Sequence, residues 1–300
     1  MSFTSLRLQA MNSPWVRITK PGILFGNLVS VLGGLWLGAR GMPALHLVVL
    51  ASLGTMMVVA SGCVVNNIID RDIDGRMART CTRVLVQGEI SIRAAAWYAV
   101  ALGVPGLAFL ALCSPLAAAA GLAGYVVYVG LYTLLFKRSS VYGTVVGSFS
   151  GAMPPVIGYV AAWPHLDMAA LLLFVAFSLW QLPHSYAIAI FRQGDYANVG
   201  IPVLPLVRGL ATTRRHMIWT TLACVLASLL LVPLGYSGLL FGVGVAAVGA
   251  YWLSTVLRLP AGPLELGDPA SLAWARKVFA GSLIYVMALC LLMALDQLLR

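Results

Sequence analysis

Charged residues are scarce in this chain of 300 residues, where aspartate, glutamate, lysine and arginine together make up 9%. Because soluble domains carry about 25% charged residues, this composition excludes an ordinary water-soluble protein. Hydrophobic residues make up 61% of the chain, and its mean hydropathy is +0.93. The apolar residues recur in runs of about 20, which is the length that a helix needs to cross a bilayer. The sequence therefore predicts an integral membrane protein.

The chain also lacks closely spaced cysteines. Its five cysteines are scattered without a C-x-x-C pair and lie mostly in apolar runs, so we interpret them as small buried side chains. Low-complexity tracts and the apolar centre of a signal peptide are missing too, and residues 1–20 are short for an organellar presequence. We therefore expect a bacterial inner-membrane protein with residues 1–20 as a cytoplasmic N-terminal segment.

Nine apolar runs predict nine membrane-spanning helices. They lie near residues 22–39, 44–68, 92–112, 115–136, 141–162, 168–191, 216–234, 238–257 and 277–298. Helices are expected because lipid offers no hydrogen-bond partner to an exposed backbone. The connections are too short for a second soluble domain, so residues 1–300 are predicted to form a single all-α transmembrane bundle.

Basic residues are divided unevenly between the two ends of these predicted helices. If the N-terminus is cytoplasmic, 17 of the 19 lysines and arginines fall on the cytoplasmic side and only Arg40 and Arg300 fall outside. Such an excess is typical of cytoplasmic loops in membrane proteins. The formal charge of +10 is thus explained by topology rather than by nucleic-acid binding, and the C-terminus is expected outside.

Three of the nine carboxylates cluster where the second apolar run ends. Asn66, Asp70 and Asp74 are spaced four residues apart, which keeps them within an arc of about 80° on a helix. Asp72 lies about 200° from Asp70 on the same helix, where it is expected to pair with Arg76. Two carboxylates one turn apart suit Mg²⁺, which often completes its shell with substrate phosphates.

Basic side chains that could donate to such phosphates surround this segment: Arg76, Arg79, Arg83, Lys137 and Arg138. The alternative is a solvated loop that only anchors the topology. Against that alternative, Asn66 and Asn67 occupy positions where the helix should still be apolar, and buried amides need polar partners. The pattern favours a phosphate-binding site at the membrane surface.

A second polar stretch interrupts the sixth predicted helix. Gln181, His184 and Ser185 share one helix face at spacings of three and four residues. Pro183 cannot donate a helical hydrogen bond and is expected to kink the helix, which would open a pocket beside these side chains.

The pattern Asn66-x-x-x-Asp70-x-x-x-Asp74 resembles the first diphosphate-binding motif of the UbiA-type intramembrane prenyltransferases. Residues 66–74 and 79–88, and the stretch 180–186, resemble the heme O synthase branch of that family. The resemblance extends over essentially the whole chain, and Asp195 stands at the family's second acidic motif. There the chain departs from aromatic-acceptor relatives, which often have a second aspartate where this chain has Val199.

The resemblance implies transfer of the farnesyl group of farnesyl diphosphate to a vinyl group of heme B, with addition of water, giving heme O and diphosphate. It implies Mg²⁺ bound by Asp70, Asp74 and Asp195, and a heme A synthase or terminal oxidase assembly as a downstream partner. The implied catalytic residues are Asn66, Asp70, Asp74, Arg79 and Arg83. The implied substrate-binding residues are Asn27, Arg76, Lys137, Arg138, Gln181, His184, Tyr186, Arg192 and Asp195.

Several interpretations stay open at this point. His184 could be an axial ligand of heme iron or could only hydrogen-bond to a neighbour. Tyr125, Tyr128 and Tyr132 could line an isoprenoid pocket or only pack between helices. Two other functions also remain: a prenyltransferase with an aromatic acceptor, and a non-enzymatic heme transporter, which would show internal repeats with matching helix breaks.

Overall fold

The computed structural model describes residues 13–258 and 265–300, and every regular element in these ranges is helical. Nine long helices occur there: α1 (Pro21–Ala39), α2 (Leu45–Ile69), α3 (Ile92–Cys113), α4 (Pro115–Ser139), α5 (Gly143–Ala162), α6 (Met168–Phe191), α7 (Leu204–Leu229), α8 (Leu239–Leu257) and α9 (Pro269–Leu299). Short helices at Pro14–Arg17, Arg71–Asp74 and Gln193–Asn198 lie at connections on one end of the bundle. The predicted all-α fold is confirmed, although residues 1–12 of the predicted N-terminal segment lie outside the described ranges.

Local sequence explains where several of these helices begin. Proline, whose fixed backbone angle suits a first turn, opens α1, α4 and α9. Side chains that accept hydrogen bonds from first-turn backbone amides precede α3, α4, α6 and α9, namely Ser91, Ser114, Asp167 and Asp268. These contacts satisfy amides that have no partner within the helix.

The predicted boundaries need two corrections. The run predicted at 216–234 belongs to α7, which starts at Leu204, is interrupted at Gly209, where the backbone is non-helical with φ of 75°, and ends at Leu229. The last helix begins at Pro269 rather than near residue 277, because Asp268 and Pro269 supply a cap and a first turn. By length and composition, eight helices of the described residues can cross a membrane; α7, which carries three arginines, is not among them.

The helices form a closed bundle in which neighbours along the chain pack together and α9 returns against α1. Helices α1 and α5 approach each other closely, because glycines allow backbone contact between them. A Cβ atom on Gly34 would lie 1.9 Å from the carbonyl oxygen of Pro155, and one on Gly158 would lie 1.9 Å from that of Val31. These two helices therefore form one rigid wall of the bundle interior.

Large apolar side chains cover the outside of the bundle. Trp97, Leu112, Trp219 and Leu239 are between 64% and 77% exposed, and many others resemble them. In water such a surface would be an aggregation hazard, whereas in a bilayer it contacts lipid tails. The chain is therefore a multi-pass membrane protein.

Candidate functional site

The carboxylate segment lies at the point where α2 ends. The backbone amides of Asp70 and Asp74 each donate to the carbonyl four residues earlier, at 2.9 Å, so helical register continues past Ile69. Asn66, Asp70 and Asp74 are consequently all buried, whereas Asp72 is exposed. The shared face expected from the four-residue spacing is present in the structure.

Asp70 is fully buried and is surrounded by donors from two helices. The Lys137 ammonium and the Asn66 amide, the latter at 2.7 Å, both contact its Oδ2 atom. Arg138 Nη2 lies 3.4 Å from Oδ1. A buried carboxylate needs such compensation, and Lys137, from the end of α4, provides the countercharge.

Asp72 does not pair with Arg76, as the spacing had suggested. Instead Arg138 binds both Asp72 oxygens, at 2.7 and 2.8 Å, and this pair holds the pKa of the Asp72 carboxyl below its usual range. The expected pair was wrong because Arg138 presents a complete fork to the carboxylate, whereas Arg76 on the same short segment points to solvent.

Asp74 contacts the guanidinium of Arg83, which belongs to the loop that connects α2 with α3. In the same loop, Thr80 Oγ1 donates to the Asp74 carbonyl oxygen at 2.9 Å, which folds the loop back over the carboxylate. Arg76 and Arg79 are exposed and form no ion pair among the described residues. Their guanidinium groups are therefore free to meet an anionic ligand.

Lys20 is a member of the site that the sequence analysis missed. Its ammonium donates to Asn66 Oδ1 at 2.6 Å, and burial lowers its pKa to about 8. Its backbone is left-handed, with φ of 58°, which is unusual for a residue other than glycine and is often found at functional sites. The one signal in the sequence was a lysine directly before the first apolar run.

A cavity of about 800 Å³ opens between α1, α2, α4, α5, α6 and α9. On α2 its lining runs from Thr55 to Cys63, and on α4 from Gly121 to Lys137. Since α2 and α4 both descend toward Asp70, the cavity extends from the charged cluster toward the middle of the bundle. Its walls are mostly apolar. Lys137 lines the cavity and also contacts Asp70, so the cavity reaches the charged cluster.

Tyr125, Tyr128 and Tyr132 all line this cavity, which favours the isoprenoid-pocket interpretation over simple packing. They lie beside or within a π-helical stretch at Val127–Phe136, where the Thr133 hydroxyl donates to the Tyr128 carbonyl oxygen at 2.8 Å. Such stretches are rare and often occur at functional sites. The side chains of Tyr128 and Tyr132 are stacked, with ring centroids 6.0 Å apart.

The second polar stretch reaches the same cavity. Gln181, His184 and Ser185 line it, and α6 continues as a helix through Pro183. Asn27 also lines the cavity, and its amide donates to the Ile23 carbonyl oxygen at 2.7 Å. The expected pocket beside these side chains is therefore present.

Three other predicted residues lie outside the cavity lining. Tyr186 is buried on another face of α6, where its ring contacts His216. Arg192 is exposed with its guanidinium over the Phe191 ring, and Asp195 is buried in the short helix that follows α6. Two of these residues adjoin a cavity residue along the chain: Tyr186 follows Ser185, and Asp195 precedes Tyr196.

Tyr196, which the sequence analysis did not predict, lies near the basic residues that follow α2 and those that follow α6. It lines the cavity, and burial raises the pKa of its hydroxyl, while the positive charges of Arg79, Arg83 and Arg192 oppose that rise. Tyr196 therefore lies near arginines from two parts of the chain, as well as near Asp195. We call this end of the cavity, lined by Lys137 and Tyr196, the cavity mouth. This convergence creates an electropositive entrance, which suits an anionic ligand.

The oxygen atoms at the cavity mouth supply some, but not all, of the ligands that were predicted for Mg²⁺. Asp70 and Asp74 offer hard oxygen atoms one turn apart, and Mg²⁺ commonly takes one or two carboxylates together with substrate phosphates. Within residues 13–258 and 265–300, however, no three carboxylate, histidine or cysteine side chains converge as a metal site. The predicted trio of Asp70, Asp74 and Asp195 is thus not assembled as one set of ligands.

Comparison with known proteins gives a consistent result. "Protoheme IX farnesyltransferase 2" of Pseudomonas fluorescens strain Pf0-1 is 51% identical over 283 residues, which is 94% of each chain. "Protoheme IX farnesyltransferase 1" of Shewanella sp. strain W3-18-1 is 48% identical over 98% of this chain and 92% of its own.

Solved structures share the fold at low sequence identity. A digeranylgeranylglyceryl phosphate synthase has a TM-score of 0.77 at 17% identity, covering 96% of this chain and 98% of its own. A UbiA homolog from Archaeoglobus fulgidus, bound to GPP and Mg²⁺, has a TM-score of 0.67 at 17% identity, covering 94% and 99%. The sequence profile of the UbiA prenyltransferase family matches residues 27–263. With this profile match and relatives of about half identity across nearly its whole length, the chain belongs to the UbiA prenyltransferase family.

Proposed function

We propose that this protein transfers the farnesyl group of farnesyl diphosphate to a vinyl group of heme B, with addition of water, giving heme O and diphosphate. The observation that carries this proposal is the identity of about half of all residues with proteins named protoheme IX farnesyltransferase, over 94% of both chains. The cavity supports it, since its apolar walls end at a cluster of cations suited to a diphosphate.

The diphosphate is proposed to bind at the cavity mouth. Lys20, Arg83 and Lys137 together outnumber the carboxylates Asp70 and Asp74 that they contact or adjoin, so the mouth attracts a polyanion. Asp70 and Asp74 would hold Mg²⁺ with phosphate oxygens, and the ion would offset negative charge on the departing diphosphate. Asn66 orients Asp70 and Lys20 through its amide hydrogen bonds.

Further basic residues at the mouth complete this proposed charge stabilisation. Arg76 and Arg79 are free to bind diphosphate oxygens, and Arg192 adds positive charge from the opposite side. Arg138 orients the segment by holding Asp72. Asp195 stays a predicted contributor on the second side of the mouth. Preorganised charges of this kind stabilise a leaving group without a costly rearrangement.

The farnesyl chain is proposed to extend into the apolar cavity, past the faces of Tyr128 and Tyr132. When the bond to the diphosphate breaks, an allylic cation forms, and aromatic faces attract a cation. A vinyl carbon of the heme then adds to this cation, and water captures the resulting heme-side cation with loss of a proton. Asn27, Gln181 and His184 are proposed to contact the heme, because they are polar cavity residues away from the charged mouth.

The test is direct. Purified protein incubated with heme B, farnesyl diphosphate and Mg²⁺ should form heme O, detected by its mass, together with released diphosphate. A parallel reaction with a hydroxybenzoate acceptor tests the aromatic-acceptor alternative. Prenylated hydroxybenzoate without heme O would contradict the proposal, and binding of heme without any turnover would favour a transporter.

Lys20 gives the proposed reaction a pH dependence. Burial lowers the pKa of this ammonium to about 8, so it is protonated below pH 8 and loses its charge above. We expect kcat/KM for farnesyl diphosphate, which reports the free enzyme, to fall as the pH rises through about 8. In Lys20→Arg the guanidinium keeps its charge, so the decline should move to higher pH; an unchanged profile would show that Lys20 does not set it.

The site is proposed to face the cytoplasm of a bacterial cell, with the protein in the inner membrane. The motivation is the placement of 17 of 19 basic residues at one end of the helices. A reporter that is active only outside the cytoplasm should be active when fused after Arg300 and silent when fused after Gly88. A silent fusion at Arg300 in a well-expressed protein would contradict nine crossings.

A further inference from the structure

The imidazole of His184 is held between two aromatic side chains at the cavity wall. Its ring centroid lies 4.9 Å from that of Trp180 and 4.7 Å from that of Phe279. The Trp180 indole N–H in turn donates to the carbonyl oxygen of Ser282 at 2.7 Å, which ties α6 to α9. The plane of the imidazole ring is therefore fixed by packing from both helices.

The hydroxyl of Ser282 makes two short polar contacts, and each of them requires a proton. Ser282 Oγ lies 2.6 Å from the Phe279 carbonyl oxygen and 2.8 Å from His184 Nδ1. The carbonyl oxygen can only accept, so the single hydroxyl proton of Ser282 must lie in that contact. The proton of the other contact must then come from the imidazole, which means that Nδ1 carries a hydrogen atom and Ser282 accepts it.

This chain of hydrogen bonds decides the state of the second imidazole nitrogen. A neutral imidazole carries one proton, so protonated Nδ1 leaves a lone pair on Nε2. No carboxylate contacts this ring within residues 13–258 and 265–300, and an uncompensated charge at this site would be costly. Nε2 has no hydrogen-bond partner in the same ranges, and His184 lines the cavity.

We propose that Ser282 is a positioning residue that holds His184 in the tautomer whose Nε2 atom can ligate the iron of heme B in the cavity. This inference rests on the proposed function, because heme B is the substrate it concerns. The arrangement matches that of metal-bound histidines generally, whose other ring nitrogen donates to a nearby acceptor that orients the ring. Without this acceptor the ring could turn or adopt the other tautomer, in which Nε2 is blocked by its own proton.

The test is a heme B titration of the purified full-length protein, followed by absorption and electron paramagnetic resonance spectra that report axial ligation. The wild type should show a histidine-ligated spectrum, and His184→Ala should lose it. Loss of an orienting partner typically lowers metal affinity by about 10–100-fold, and we expect that loss in Ser282→Ala together with a mixed ligation spectrum. Ser282→Thr keeps the hydroxyl and should restore the wild-type spectrum.

A matched control is available on the same helix. Ser271 is buried in α9, but its hydroxyl has no partner among the described residues, so Ser271→Ala should bind heme as the wild type does. Binding of a non-hydrolysable farnesyl diphosphate analogue verifies that each variant is folded. If folded Ser282→Ala keeps the wild-type affinity and spectrum, or if His184→Ala keeps the histidine-ligated spectrum, the inference is overturned.

Failure of this inference and failure of the proposed function give different results. If the wild-type protein makes heme O and its heme spectrum does not depend on His184 or Ser282, the proposed function is supported and the proposed ligation is ruled out. If the wild-type protein binds heme through His184 and Ser282→Ala weakens that binding, but no heme O forms, the proposed ligation is supported and the proposed function is ruled out.

Discussion

Asp70→Asn is expected to reduce farnesyl transfer by about 10²–10³-fold, or roughly 3–4 kcal/mol, which is the usual effect of losing one charge-stabilising group. The substitution barely changes size but removes the negative charge from a fully buried side chain. It also leaves Lys137 without its countercharge. Asp74→Asn should cause a loss of the same order, because Asp74 is also buried and paired, in its case with Arg83.

Asp72→Asn is the matched control for both changes. Asp72 lies in the same short segment, but 59% of its side chain is exposed. Its pair with Arg138 is therefore a surface pair, and such pairs contribute about 0–1 kcal/mol. We expect turnover to change less than about five-fold for this variant, on the same surface-pair scale.

The measurement is farnesyl transfer by the three variants over a series of Mg²⁺ concentrations. If Asp70 and Asp74 hold the metal with the diphosphate, higher Mg²⁺ should recover part of the lost activity. Thermal unfolding of each variant separates a catalytic defect from a folding defect, since breaking a buried ion pair is itself destabilising. Equal losses at all three positions in folded protein would show that the ligand assignment is wrong.

Gly158→Ala is expected to destabilise the protein by about 3 kcal/mol, at the upper end of the usual effect of overpacking. The new methyl group would lie 1.9 Å from the Val31 carbonyl oxygen, and α1 could accommodate it only by moving its backbone. Gly34→Ala should behave alike, because its methyl group would meet the Pro155 carbonyl oxygen at the same distance. The reason is a rigid contact between backbones, which no change of side-chain rotamer can relieve.

Gly26→Ala on α1 is the control for this prediction. A Cβ atom there would meet nothing within 4 Å. Because alanine is favoured over glycine in helices by about 0.5–1 kcal/mol, this variant should be as stable as the wild type or slightly more stable. Unfolding temperatures of the detergent-solubilised proteins provide the comparison. If Gly158→Ala unfolded at the wild-type temperature, the close approach of α1 and α5 would be refuted.

Much of the fold follows from local patterns in the sequence. Apolar runs located most of the helices to within a few residues, since the length of a membrane-spanning helix is set by the thickness of the bilayer. Misplaced boundaries occurred where polar residues continue a helix beyond its apolar run, as between Leu210, which follows the break at Gly209, and residue 216 in α7, and between Pro269 and residue 277 in α9. A search for apolar runs does not detect these polar extensions of a helix.

Part of the site was also predictable from local spacing. The common face of Asn66, Asp70 and Asp74 follows from helical periodicity within nine residues. The partners of these side chains do not follow from it. Lys20 reaches Asn66 from 46 residues away, and Lys137 reaches Asp70 from 67 residues away. Such pairs depend on how the helices are arranged around the cavity, so spacing along one helix could not reveal them.

The sequence by itself determined that this is a helical membrane protein, which end of its bundle is basic, and which carboxylates share a buried face. Those properties depend on composition and on the period of a single helix. Only the tertiary structure decided that Arg138 rather than Arg76 binds Asp72, that Tyr196 lies near Arg79 and Arg83, and that Ser282, 98 residues from His184, contacts its imidazole. Each of these depends on contacts between helices, which form only when distant segments pack around one cavity.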